Sequence, residues 1–206
     1  MRTLRIALAS LLLVAGCSTA EPGEPRAADQ PPTSTEQTDQ PDEPTSSTVP
    51  PPTSSAPRDR PKDIDMAGVD ICKVVAGLPR REYGLDGDRP PLGGTSVIFP
   101  GAKDCFANGI QKNLSLTLIA VPDEDAREFV DTANAEVTDF EAQGYPLSVL
   151  KPAQPENCFG VLDVHDGQLL FISYGMGNPR GEPVTPQKRL CDTVPEIAAS
   201  AISALG

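Results

Sequence analysis

Residues 158–174 read CFGVLDVHDGQLLFISY. Asp166-Gly167 is a two-residue hairpin turn of the favoured kind, because glycine accepts the positive φ that such turns require. The flanking runs, Cys158 to Val164 and Gln168 to Tyr174, are rich in β-branched and aromatic residues and read as strands. A plain two-residue turn sets Leu162, Val164, Leu169 and Phe171 on one face. Phe159, Val161, Leu170 and Ile172 fall on the other. Both faces are apolar, so the hairpin is expected at the centre of a sheet that is covered on both sides.

Outward from the hairpin, Tyr145 to Leu150, Leu114 to Val121 and Cys105 to Ile110 read as further strands. Leu114, Leu116 and Leu118 alternate with Ser115 and Thr117. Asp70 to Val75 reads as a short helix, Leu78 to Tyr83 as a second turn, and residues 84–103 as irregular chain rich in Gly and Pro. Asp123 to Glu141 reads as a helix with acids in its first turn, where the helix dipole favours them. Ala126, Phe129, Val130, Ala133, Val137 and Phe140 would form its buried face, and Gly144 would end it. Gly175 to Pro186 reads as a loop. Gln187 to Leu205 reads as a closing helix that Pro195 kinks, unless the helix begins there. The order is α-β-β-α-β-β-β-α, an α+β fold with an antiparallel sheet of about five strands packed with helices.

The start of the chain has a different character. In residues 1–17, MRTLRIALASLLLVAGC, two arginines precede an apolar stretch that ends in small residues and a cysteine. This is the layout of a signal peptide, and the stretch is too short for a membrane anchor. The closing Val14-Ala15-Gly16-Cys17 is a lipobox, so residues 1–16 are expected to be removed and Cys17 to carry lipid. Residues 18–62 hold 11 of the 23 prolines and 13 Ser or Thr, with no aromatic residue and no Leu, Ile or Met. Such a stretch cannot bury enough apolar surface to offset the entropy of ordering it. Residues 17–62 therefore read as a lipidated, disordered tether, and 63–206 as one α+β domain. All nine Phe and Tyr residues lie between Tyr83 and Tyr174.

Charge and cysteine usage narrow the classes. The chain has 29 acidic and 17 basic residues, and two of the basic ones belong to the leader. An acidic chain is not a nucleic-acid binder. Cys72, Cys105, Cys158 and Cys191 are even in number in an exported chain, which predicts two disulfides in one of three connectivities. No metal site is expected, since no two cysteines are close in sequence and His165 is the single histidine. His165 lies beside the hairpin turn and reads as a solvated turn residue. Ser173 lacks the glycine two positions earlier that a nucleophile elbow needs. Gly175-Met176-Gly177 with Gly181 has the wrong spacing for a dinucleotide loop, and prolines follow where a helix should open. Asn113-Leu114-Ser115 is a glycosylation sequon by letters only. No catalytic residue and no cofactor is expected.

The cysteine contexts Asp70-Ile71-Cys72, Lys103-Asp104-Cys105-Phe106, Asn157-Cys158-Phe159-Gly160-Val161 and Leu190-Cys191 carry a resemblance. Over about residues 64–206 the chain resembles the actinobacterial lipoproteins with a two-disulfide domain of unknown function (the LprB/LprC-like group). Phe106 stands near a position where those domains often have Trp. The resemblance implies a fold and a membrane location, and no activity. The outline is also similar to two-disulfide ectodomains of actinobacterial receptor kinases, which implies ligand binding in a cleft.

Pairing Cys72 with Cys105 and Cys158 with Cys191 would in each case join a helical segment to the opening of a strand. The chain is thus expected at the extracytoplasmic face of the cell membrane, held through lipid on Cys17. Its expected role is non-catalytic binding of a small molecule or lipid, with apolar side chains of the sheet and of the Phe129–Phe140 segment lining the site. The alternative is an interaction accessory that meets an envelope protein of a membrane or cell-wall complex.

Overall fold

The structure, a computed structural model, describes residues 59–206. The leader, Cys17 and the tether up to residue 58 lie outside the described residues. The elements are α1 (Ile71–Gly77), β1 (Leu92–Thr95), β2 (Lys103–Gly109), β3 (Leu114–Val121), α2 (Ala126–Thr132), β4 (Ala135–Ala142), β5 (Tyr145–Pro152), β6 (Asn157–His165), β7 (Gln168–Met176) and α3 (Gln187–Leu205). A short 3-10 turn, Met66–Gly68, precedes α1, and another, Ile110–Lys112, joins β2 to β3. The class is α+β, as the sequence pattern indicates, with a sheet of seven strands in the order β1-β2-β3-β7-β6-β5-β4. Every neighbouring pair is antiparallel. Two meanders, β1-β2-β3 and β4-β5-β6-β7, therefore meet where β3 pairs with β7. Among the described residues no helix is long and apolar enough to cross a membrane.

One face of the sheet packs against α1, α3 and Met66. Its core includes Leu116, Leu118, Leu162, Leu170 and Ile172 from the strands, with Val75, Leu190, Val194 and Ile197 from the helices. The other face is covered by α2 and the loop after β1, where Phe99 and Ala126 pack on Ile119, Val161, Leu169 and Phe171. Cys72 in α1 is bonded to Cys105 in β2, and Cys158 in β6 to Cys191 in α3, each with Cα atoms 5.1 Å apart. Each bridge joins a helix of the first face to a strand beneath it. α3 runs unbroken through Pro195. It lies close on β6, because a Cβ built at Gly160 would stand 2.6 Å from Val194 Cγ1.

Three elements differ from the sequence reading. The central hairpin is turned at Asp166-Gly167, but its register shifts between Asp163 and His165, so Leu162 pairs with Leu170 and Val161 with Phe171. A β-bulge adds one residue to one strand and moves every later side chain to the opposite face. Leu162, Val164, Leu170 and Ile172 therefore share the helix-covered face, while Leu169 and Phe171 join Val161 and Phe159 on the other.

The helix expected over Asp123 to Glu141 stops at Thr132, capped at its start by the Asp125 side chain. Residues 135–142 form β4, paired with β5 from Ala135–Pro152 to Ala142–Tyr145. Gln143 and Gly144 both have positive φ, 54° and 83°, the pattern of a tight hairpin turn. A glycine at positive φ serves a helix end and a hairpin turn alike, and here the turn decides the outcome. Finally, β1 arises within the stretch read as irregular. It is an edge strand, pairing with β2 alone.

Folded structure also reaches back to Arg60, which composition groups with the tether. Its side chain is 6% exposed and donates to Asp163 at 2.5 Å and Asp166 at 2.6 Å. Burial opposes the Arg60 charge, but the hydrogen bonds and charges of Asp166 and Asp163 outweigh it and hold its pKa above the ordinary value. Beyond Arg60 the chain stays on the hairpin: Ile64 N donates to Val164 O at 2.9 Å and Met66 N to the Gln168 side chain at 2.6 Å.

Candidate functional site

Between the sheet and α2 the space next to Phe129 holds packed aromatic rings. Phe99, Phe129 and Phe171 form a triangle with ring centroids 5.1, 5.2 and 5.7 Å apart, and Phe159 adds a fourth ring 5.5 Å from Phe171. Such spacings are favourable aromatic contacts. Phe140 projects from β4 and is exposed. Beside the cluster runs a groove of about 590 Å³ in which Val130, Val137 and Val161 alternate with Arg127, Asp131 and Asp139. His165 lies at the end of β6, with Nδ1 2.8 Å from Asp166 O. Ser173 pairs across the sheet with Thr117 and Phe159. Neither lines a large cleft.

A second cleft, of about 480 Å³, is walled by the turn after α1, by α3 and by the loop before α3. Its first wall is the turn from Arg81 to Gly84. Tyr83 fixes this wall to α3, its hydroxyl donating to Glu196 O at 3.1 Å and meeting Ser200 Oγ at 2.7 Å. Tyr174 of β7 fixes it to the sheet, its hydroxyl donating to Tyr83 O at 2.8 Å. The second wall is the surface of α3 at Arg189, Thr193 and Glu196, spaced so that they share one helical face. The third is the loop that carries Pro183, Val184 and Thr185.

Asn113 holds that loop. It is buried and left-handed, with φ 52° and ψ 42°. Its Nδ2 donates to Asn178 O at 3.0 Å and Pro183 O at 3.3 Å, and its Oδ1 accepts from Asn178 N at 2.8 Å. Sequence reasoning treated Asn113 only as part of a sequon. Its signal was its place between two strand runs, since asparagine tolerates the left-handed region that such a connection needs. Asn113→Ala is expected to lose about 2–4 kcal/mol, from three hydrogen bonds and a strained backbone. Asn113→Gly, which relieves the backbone but not the bonds, should lose about 1–2 kcal/mol less. Urea denaturation of both variants checks this, and equal losses would refute the backbone component.

The three tyrosines of the chain all have raised pKa values, chiefly through burial. Tyr174 is pushed up to about 12 from 10.0, with the Arg189 charge partly offsetting the effect. A group whose folded pKa is raised contributes its stability in full below the unfolded value and loses it as pH rises through the folded value. The domain should therefore weaken between pH 10 and about 12, by about 2–3 kcal/mol from Tyr174. Stability measured across this range should fall less steeply in Tyr174→Phe. An unchanged slope would refute the assignment.

Lys112, Arg189 and Arg81 line the cleft against Glu82 and Glu196. Arg81 is paired with Asp88. Lys112 and Arg189 enter no salt bridge among the described residues. The cleft can thus offer two uncommitted cations beside an apolar surface.

Comparison with known proteins gives one result. A family model described as a protein of unknown function, DUF3558, matches residues 12–204. No curated protein and no solved structure matches the chain at a significant level.

Proposed function

The chain belongs to the DUF3558 family, and from that premise we propose that it is a lipid-anchored extracytoplasmic binding protein that performs no chemistry. Lipid on Cys17 holds it to the outer face of the cell membrane. The folded domain receives a small molecule in the cleft between the Arg81–Gly84 turn, α3 and the Pro183–Thr185 loop. The observation that carries this reading is the cleft itself. Its volume of about 480 Å³ lies in the usual range for small-ligand sites, and its walls are fixed by Tyr83, Tyr174 and Asn113. The lipobox at Val14 to Cys17 supports the location.

Mass spectrometry of the full chain purified from membranes tests both halves. Denaturing spectra should show a chain that starts at Cys17 and carries a diacylglyceryl group, and Cys17→Ala should release the protein from the membrane fraction. Native spectra should show an additional non-covalent mass that is lost in Thr193→Trp, which fills the cleft. An unlipidated chain that remains membrane-bound overturns the anchor. A non-covalent mass that survives Thr193→Trp, or none at all, overturns the site.

The second reading, an interaction accessory, is favoured by the exposed apolar side chains beside edge strand β1. Val97 is 95% exposed, and Leu92 and Ile98 are also open to solvent. Capture of an envelope protein that is lost in Val97→Asp, with the cleft mass retained, would select this reading.

A further inference from the structure

We propose that the ligand of the cleft is an anionic amphiphile, its charged head held between Lys112 and Arg189 and its apolar body lying along Leu114, Tyr174 and Val184. This rests on the reading that the cleft is the binding site, and it assigns the chemical class that the site selects.

The charge balance points to an anion. The chain as a whole has 29 acidic residues against 17 basic ones, yet basic side chains outnumber acidic ones in this cleft. The groove beside α2 shows the reverse, with Asp59, Asp131, Asp139 and Asp163 against Arg127. The overall field of an acidic protein repels anions, so a cleft whose lining carries three basic side chains against two acidic ones marks the place where an anion can be held.

The geometry brings the two cations to one end. A Cβ built at Gly84 would lie 3.4 Å from the Lys112 Cβ. The adjacent Tyr83 carbonyl accepts from the Tyr174 hydroxyl at 2.8 Å. Arg189 lines the cleft beside Tyr174, and its charge acts on that hydroxyl. Lys112 and Arg189 therefore flank the same Tyr83–Tyr174 junction. Glu196 lies seven residues beyond Arg189 on α3, about 10 Å along the helix. Glu196 repels the anionic head from that end, and Glu82, next to Tyr83 in the chain, is the acid that Lys112 and Arg189 together must outweigh.

The apolar half follows from what surrounds the cations. Val184 is 61% exposed on the rim, and Pro183 and Pro186 continue its surface. An inorganic anion would leave this surface in water, whereas a ligand with a hydrocarbon body buries it. The volume suits a compact single-chain molecule and excludes a whole two-chain phospholipid.

Calorimetric titration of the oxidised full-length chain tests the class with four probes: octyl phosphate, inorganic phosphate, 1-octanol and octylammonium. Octyl phosphate should bind at least about tenfold more tightly than each of the others. Lys112→Gln combined with Arg189→Gln should weaken octyl phosphate by at least about tenfold and leave 1-octanol unchanged. Both side chains are exposed, so an unchanged melting temperature will verify the fold. If 1-octanol or octylammonium matches octyl phosphate, the anionic class is overturned while the cleft remains a binding site. If inorganic phosphate matches it, the apolar half is overturned. If no probe binds, or if binding persists in Thr193→Trp, the proposal and the cleft reading fall together.

Discussion

Replacing Cys158 and Cys191 together with alanine is expected to cost about 3–4 kcal/mol, enough to leave the domain marginal. The same loss is expected for Cys72 and Cys105, because both bridges span 33 residues. In the chain-entropy account, loop length alone sets the stabilisation. Equal separations therefore make a controlled comparison within one protein. If denaturant unfolding gives losses that differ by more than about 1 kcal/mol, the difference belongs to local packing or to residual structure in the unfolded chain, and the entropic account fails here. Either pair leaves the opposite helix stapled, so single removals should still unfold cooperatively.

Leu118→Ala should cost about 2–5 kcal/mol. Leu118 is fully buried in β3, opposite Cys105 on one side and Ile172 on the other, beneath the helices of the first face. The cavity would open directly beside the Cys72–Cys105 bridge. Combining Leu118→Ala with loss of that bridge should thus be non-additive, since the two sites share neighbours. Combining it with loss of the Cys158–Cys191 bridge should be close to additive. Cys158 lies in β6, two strands and about 10 Å away across the sheet. Double-mutant cycles measured by urea denaturation distinguish the two cases, and equal coupling in both would refute this picture of the core.

What the sequence disclosed followed from whether a pattern had one physical meaning or two. The alternation in Leu114 to Leu118 has one, and β3 stands where that alternation places it. Gly144 has two, since a glycine at positive φ ends a helix or turns a hairpin, and here Gln143-Gly144 turns the hairpin that makes residues 135–142 a strand. The bulge at Val164 leaves no residue signature of its own, so the two faces of β7 were interchanged. The cleft was the least legible feature. Lys112, Tyr174 and Arg189 are far apart in sequence, and only the closure of β7 against the Arg81–Gly84 turn and α3 brings them together. Asn113 could have been found, because an asparagine in a short strand connection is itself a conformational signal.

The Arg60 clamp and the first disulfide together define a mechanical path. Among the described residues, tension arriving through the N-terminal chain is taken up by Arg60, at the turn of the central hairpin rather than at an edge strand. It then runs through Ile64 and Met66 to α1. At Cys72 the covalent bridge transfers it to Cys105 in β2, so the chain from residue 73 to 104 carries none of it. Edge strand β1, the least protected strand of the first meander, lies inside that bypassed loop. A domain pulled from this side is loaded at the middle of its seven-strand sheet, and its edge strand is shielded by a bond that shear cannot unzip.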